Sequence, residues 1–361
     1  MPLLPALSAK LPVYFPSWLK PEVIPGLPVR WYGLMYIFAF ATAYLVYRKQ
    51  IKERNFPMSA DDLSGLFSWS ILGLILGARL FSTLIYETTD IYLRQPWLIF
   101  WPFRNGKFTG LQGMSYHGGA FMGFLSAVIF AKVKKFNFRE IADMFAAAVP
   151  LGFTFGRIGN FINAELYGRA TAGPFGMIFP DAKPLPAGES WVIDIAEKTG
   201  VEITGAMVNL PRHPSQLYEA FFEGIVLWAI IWFFRNRKPF KGFLIGLYFL
   251  GYGLFRFIIE YFREPDADLG YRIEFVKTTL PTAYAHPLFS FSTGQILCFI
   301  MILFGVIWLI AASLLPDREA IRIYNIEEKN VKIKREKSKE AAKERNKRRK
   351  LRKKLKSTTP P

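Results

Sequence analysis

Between Gly156 and Gly168 the chain reads Gly-Arg-Ile-Gly-Asn-Phe-Ile-Asn-Ala-Glu-Leu-Tyr-Gly, which sets an arginine, two asparagines and a carboxylate at the end of an apolar stretch. A charged side chain at bilayer depth costs about 3 kcal/mol or more, so Arg157 is expected to face a protein cavity or an anionic partner rather than acyl chains. Guanidinium groups pair with phosphate oxygens through two parallel hydrogen bonds and stay charged when partly desolvated. The chemistry suited to these residues is the grip of an anion at a membrane boundary.

Other polar groups recur where apolar runs begin and end: Tyr32, Arg79, His117, Asn160, His213, Arg256, Glu260 and Arg263. Tyr252, Arg256 and Glu260 are four apart and so share one helix face, where an Arg256–Glu260 pair either neutralises two buried charges or has a task. Arg79 either joins the same polar set or snorkels to the surface. Ser115-Tyr116-His117-Gly118-Gly119 fits an interfacial turn with glycines for close helix packing as well as a working histidine. Arg212 to Glu219 fits a helix start, with Pro214 at the first helical position and Gln216 placed to close a box onto the cap. Asp143, which follows Asn137 and Glu140, is assigned to a helix start as well.

These side chains need elements to position them, and composition says which. Of 361 residues, 52% are hydrophobic and 17% aromatic, with the apolar residues in runs of near-spanning length rather than in the alternations of a soluble core. At roughly 20 residues per span, seven fall near 31–47, 66–86, 117–133, 141–162, 217–234, 243–262 and 293–314. The expectation is an all-α polytopic membrane protein with about seven transmembrane helices. Basic clusters follow the first, third and fifth spans at Arg48–Arg54, Lys132–Lys135 and Arg235–Lys238. Short basic loops stay on the cytoplasmic side, which places the N-terminus outside and the C-terminus inside.

With that orientation the polar groups share one layer near the outer headgroup boundary, a setting for a phosphate held within a bilayer. The expected division is an extracytoplasmic segment over 1–30, a membrane domain over 31–314 and a basic cytoplasmic tail over 315–361. An insert at 169–212, too long for a turn, is expected to form a small extracytoplasmic head with some strand or short helix.

The tail from Pro316 holds 18 Lys and Arg against 7 Asp and Glu, so 11 of the formal net +18 belongs to it. Nucleic acid is therefore a poor reading. A solvated or helical arm leaning on anionic headgroups, at about 1 kcal/mol per basic residue near the surface, is a better one. The N-terminus has no basic region before its apolar residues and is broken by prolines, unlike a cleaved signal peptide. Cys298 is the only cysteine, which excludes an intramolecular disulfide and leaves any thiol chemistry to another molecule's cysteine. The three histidines, His117, His213 and His286, have no ligand spacing, and no nucleotide loop is present, so neither metal nor cofactor is expected. A lipid transporter would use the same arginines, but it should expose its site to both faces, whereas these groups cluster toward one side. A membrane scaffold would leave the buried charges without a purpose.

The Gly156–Gly168 stretch resembles the signature of the bacterial prolipoprotein diacylglyceryl transferase family. Four further stretches match that family in the same order: Arg30-Trp31-Tyr32-Gly33-Leu34-Met35-Tyr36, Met114 to Gly119, His213 to Glu219, and Gly251-Tyr252-Gly253 through Phe262-Arg263-Glu264-Pro265-Asp266. The resemblance implies a seven-helix inner-membrane enzyme with external N-terminus and cytoplasmic C-terminus; a monomer is expected, with no cofactor and with the active site toward the outer leaflet. Its partners would be phosphatidylglycerol, the lipobox peptide of a prolipoprotein and the surrounding membrane lipids. It also implies that the essential residues fall on Tyr32, His117, Arg157, Asn160, Glu165, Gly168, Tyr252 and Arg256, with Glu260 and Arg263 in support. The insert at 169–212 and the basic tail follow no recognised pattern of the family.

Overall fold

Backbone in a hydrocarbon environment must satisfy its hydrogen bonds within the segment, so long apolar runs become helices. The computed structural model describes residues 12–24, 29–87, 89–104, 106–108, 113–264, 271–276 and 280–315. Parts of the expected N-terminal segment (1–11 and 25–28), the end of the last matched motif (265–266) and the tail from 316 lie outside them. Residues 1–312 form one unit, and of the second unit, 313–361, only Ser313–Leu315 is described.

The helices are α1 (Trp31–Arg54), α2 (Ala60–Phe81), α3 (Ile91–Arg94), α4 (Tyr116–Val133), α5 (Phe138–Ala146), α6 (Val149–Ile162), α7 (Ser190–Thr199), α8 (Ser215–Glu219), α9 (Leu227–Phe234), α10 (Phe243–Ile259) and α11 (Thr293–Leu314). A π-helical segment, Ser82–Tyr86, prolongs α2, and another, Ala220–Val226, joins α8 to α9. Among the described residues three continuous stretches, Ala60–Tyr86, Ser215–Phe234 and Thr293–Leu314, are long and apolar enough to cross a membrane, and α5 with α6 makes a fourth if the pair is one broken span bent by 41°. The break falls at Ala147 and Ala148, just ahead of Pro150 in the first turn of α6; the proline lacks the N–H that would continue the ladder and crowds the carbonyl four residues back. Along α11, Leu297, Phe299, Ile300, Leu303, Ile307 and Ile310 face outward; so long an apolar surface suits lipid and not water.

Small residues let the helices approach. Gly77 of α2 faces Gly118 of α4, and a Cβ on either would collide with the other's carbonyl oxygen, as in close membrane helix pairs generally. Ser115 caps α4 by accepting from the Gly118 N–H at 3.1 Å. Tyr47, Leu63, Leu66, Phe67, Ile141 and Met144 form one apolar core between α1, α2 and α5, and Ala147, Leu227, Ile231 and Leu244 form a second.

Asp143 does not start its own helix. Asn137 does, accepting from the Arg139 N–H, whereas Asp143 lies fully buried within α5 and accepts from the N–H groups of Gly242 (2.9 Å) and Ile245 (3.1 Å). It thus caps α10, a helix about a hundred residues away, and pairs there with Lys238 at 3.0 Å.

Among the described residues, four two-stranded sheets accompany the helices. β1 (Val13–Tyr14) pairs in parallel with β4 (Met177–Ile178). The antiparallel pairs are β2 (Phe103–Arg104) with β3 (Lys107–Phe108), β5 (Leu185–Pro186) with β6 (Met207–Val208), and β7 (Tyr271–Glu274) with β8 (Ser290–Ser292). The region 169–212 carries β4, β5, α7 and β6 around a small core of Trp191, Val192, Ile195, Val208 and Leu210, with Trp191 stacked on Tyr284. Two buried arginines fasten it. Arg169 donates to the carbonyls of Tyr261, Thr282 and Ala285, and Arg212 pairs with Glu264 at 2.5 Å and donates to the Lys183 carbonyl.

Candidate active site

The apolar face of α6 is interrupted one turn before its end by Arg157. Its guanidinium lies over the Phe153 ring, 4.7 Å from the centroid, and its Nη1 donates to Asn160 Oδ1 at 3.3 Å. Its Nε lies 2.8 Å from Glu219 Oε2, at the junction of α8 and the π segment. Arg256 of α10 and Arg263, just beyond that helix, each place Nη1 2.5 Å from Glu219 Oε1. Three guanidinium groups from distant parts of the chain therefore converge on one fully buried carboxylate.

Glu260 closes the arrangement. Its Oε2 is 3.2 Å from Arg256 and 3.6 Å from Arg263, and its Oε1 accepts from the Ser292 hydroxyl at 3.0 Å. Ser292 and Gln295 in turn cap α11 reciprocally, each side chain accepting from the other's backbone N–H, which fixes the hydroxyl that holds Glu260. The Arg256–Glu260 pairing that the four-residue spacing suggested is present. The cluster is nevertheless no bare cationic pocket, because Glu219, Glu223 and Glu260 stand against the three arginines.

Glu219 and Glu223 were not singled out from the sequence. Their partners lie on other helices, so no local spacing reveals them; the available signal was two carboxylates one turn apart inside an apolar run, which in a membrane demand a partner or a proton. The π register around them packs tightly on α6. The Thr154 hydroxyl lies 3.4 Å from the Ala220 carbonyl, and a Cβ on Gly224 would strike that hydroxyl.

The loop after α6 carries the rest of the signature. Ala164 and Leu166 adopt φ of 53° and 59°, left-handed values that non-glycine residues hold only under external constraint. The constraint comes from the His213–Glu219 motif. Gln216 Nε2 donates to the Glu165 carbonyl at 2.6 Å, and Ser215 Oγ to the Leu166 carbonyl at 3.1 Å. Gln216 therefore closes no box on its own helix, which starts at Ser215 with Pro214 at the cap position. Glu165 accepts from Asn160 Nδ2 at 2.9 Å, extending a chain from Arg157 through Asn160 to the loop. Gly168 donates its N–H to the His213 carbonyl at 2.8 Å, and a Cβ there would strike the Phe262 carbonyl and meet His213 Cβ at 3.0 Å. Close backbone approach is its role.

The remaining residues lie around this centre. Tyr32 of α1 shares a hydrogen bond with Tyr36 at 3.1 Å and packs where Gly159 leaves room on α6. Tyr252 of α10 meets Phe153 edge-on, with ring centroids 5.8 Å apart, so Phe153 stands between it and Arg157. His117 is exposed at the start of α4, and its Nδ1 pairs with the Tyr86 hydroxyl at 3.3 Å; both belong to the α2–α4 pair, not to the helices bearing the arginine cluster. Arg79 is buried and donates to the carbonyls of Leu98, Ile99 and Gly113, which makes it a clamp on the segment after α3. His213, just ahead of α8, bonds Tyr218 through Nδ1; burial, with Arg169 adding to it, pushes its imidazole down to about 4.

Apolar helices around a buried arginine–glutamate cluster, beside a strained and wired loop, define a helical membrane protein. Residues 22–311 match the family described as prolipoprotein diacylglyceryl transferase, and the chain belongs to that family. It is 52% identical over 346 residues to the phosphatidylglycerol–prolipoprotein diacylglyceryl transferase of Treponema denticola, covering 90% of this chain and 98% of that one. The protein of the same name from Treponema pallidum is 49% identical, with 86% and 98% covered, and that from Chlorobaculum tepidum is 40% identical, with 81% and 90% covered.

Proposed function

We propose that this chain transfers the sn-1,2-diacylglyceryl group of phosphatidylglycerol to the lipobox cysteine thiol of a prolipoprotein, the first step of bacterial lipoprotein maturation. The observation that carries this reading is the convergence of Arg157, Arg256 and Arg263 on Glu219 inside apolar helices. Guanidinium forks already holding carboxylates can exchange one for the oxygens of a phosphodiester. The family membership and the names of the relatives support the choice of lipid and acceptor.

In the reaction, sulfur attacks the glycerol carbon bonded to phosphate. A C–S bond forms, the C–O bond breaks with its electron pair moving to the phosphate oxygen, and glycerol phosphate leaves. Arg157 and Arg256 would stabilise the charge that develops there, with Glu260 holding Arg256 and Arg263 side by side. Asn160 and Glu165 would orient Arg157 or the glycerol head, and Gly168 would set the loop against α8. Tyr32 and Tyr252 would hold the headgroup or relay a proton. A thiol is mostly protonated at neutral pH, so a base must act, and His117 is the proposed acceptor of that proton.

The proposed setting is the bacterial inner membrane, with seven spans, the N-terminus outside, the tail inside and the reaction near the outer leaflet. The proposed unit is a monomer, with 31–314 as the catalytic domain and 169–212 as its outer head. Purified protein incubated with phosphatidylglycerol and a lipobox peptide should add a diacylglyceryl mass to the peptide cysteine. Peptide left unchanged, with lipid and protein both intact, would overturn the reading.

A further inference from the structure

Glu223 has no task in the reaction as derived. Its side chain is fully buried on the π segment, and neither carboxylate oxygen has a hydrogen-bond donor among the described residues. The nearest ion-pair partner is Arg256 Nη1 at 3.9 Å, a group already engaged by Glu219 at 2.5 Å, while its Nη2 holds Glu260. An ionised carboxylate so placed has no hydrogen-bond donor and only the 3.9 Å attraction of a guanidinium already shared with two other carboxylates, so the cheaper state carries a proton.

The charge balance gives that proton a meaning. With Glu219 and Glu260 ionised and Glu223 neutral, three arginines face two carboxylates, which leaves one positive charge, the match for one phosphodiester. With Glu223 ionised the excess disappears. We propose that Glu223 is a positioning residue that keeps a proton while the cluster takes the lipid phosphate, leaving Arg256 available, and that its ionisation makes it compete with phosphate for Arg256.

The inference rests on the reading of the cluster as the phosphatidylglycerol site. The groups whose charge Glu223 feels are Arg256 and Arg263 from α10 and beyond, Arg157 from α6 and Glu219 on its own helix; Cys298 of α11 feels Glu223 in turn, and Tyr252 feels Arg256. The test is binding of short-chain phosphatidylglycerol to the full chain in zwitterionic detergent, without peptide, from about pH 6 to about pH 10. Wild-type affinity should weaken about tenfold or more toward the alkaline end, about 1.4 kcal/mol, and Glu223→Gln should remove that fall while Glu223→Asp keeps it. A flat wild-type profile, an equal fall in Glu223→Gln, which would assign it to Tyr252 or Cys298, or a flat Glu223→Asp profile should Glu223→Gln not fold, would overturn the inference. Lipid that fails to bind at every pH would instead overturn the functional reading.

Discussion

At the scale of single residues, Arg157 uses two faces of its guanidinium at once, Nε toward Glu219 and Nη1 toward Asn160, while its plane lies on Phe153. A lysine keeps the charge but offers a point instead of a fork. Arg157→Lys should therefore lower the transfer rate by about a hundredfold, on the order of the loss of one transition-state donor, as measured by single-turnover mass addition to a lipobox peptide; transfer within a fewfold of wild type would remove Arg157 from the clamp. The arginines were legible as candidates because a charge in an apolar run stands out in any membrane sequence. Their common partner was not. Glu219 closes a motif that reads as an ordinary helix start, and only the folded chain brings Arg157, Arg256 and Arg263 to it from the ends of two other helices.

At the scale of elements, each expected apolar run lies almost wholly in helix, since length and hydropathy are written locally; the 41° bend goes with Pro150, whereas the π register is a tertiary adjustment where Gly224 packs on Thr154. Gln216 and Asp143 show the same limit in another form. Local spacing casts both as starting their own helices, and both serve distant backbone: Gln216 the strained Glu165 loop, Asp143 the first turn of α10. Two variants separate these duties. Gly168→Ala forces a methyl onto the Phe262 carbonyl and should cost about 1–3 kcal/mol, with transfer falling more than stability because the loop must shift from Ser215 and Gln216; it should be read from the ratio of turnover to unfolding midpoint, and an unaltered ratio would deny the loop a role in the chemistry. Asp143→Asn weakens a cap and the pairing with Lys238 far from the cluster, so it should lower stability by about 2 kcal/mol in denaturant titrations while turnover of the folded fraction stays near wild type.

At the scale of the whole molecule, Arg169 and Arg212 tie the region 169–212 to the chain beyond α10, and His213 lies between that region and α8. With its imidazole held down to about 4 in the folded protein against an ordinary value near 6.5, the unfolded chain binds the proton first as pH falls. Stability contributed by neutral His213 is present above about pH 6.5 and is lost between about 6.5 and 4; His213→Gln should flatten that part of a midpoint-versus-pH curve, and an unchanged slope would assign the acid sensitivity to other groups. Orientation is open to an equally direct measurement, because the chain's one cysteine, Cys298, is buried and leaves a nearly silent background for thiol labelling. Phe175 stands exposed in the region 169–212 and Lys52 is exposed near the end of α1. The positive-inside argument puts these two positions on opposite sides of the membrane. In intact spheroplasts a membrane-impermeant maleimide should label Phe175→Cys and spare Lys52→Cys until the membrane is permeabilised. The reverse pattern would turn the molecule over, set the arginine cluster near the inner leaflet and remove the outer-face reaction proposed for it.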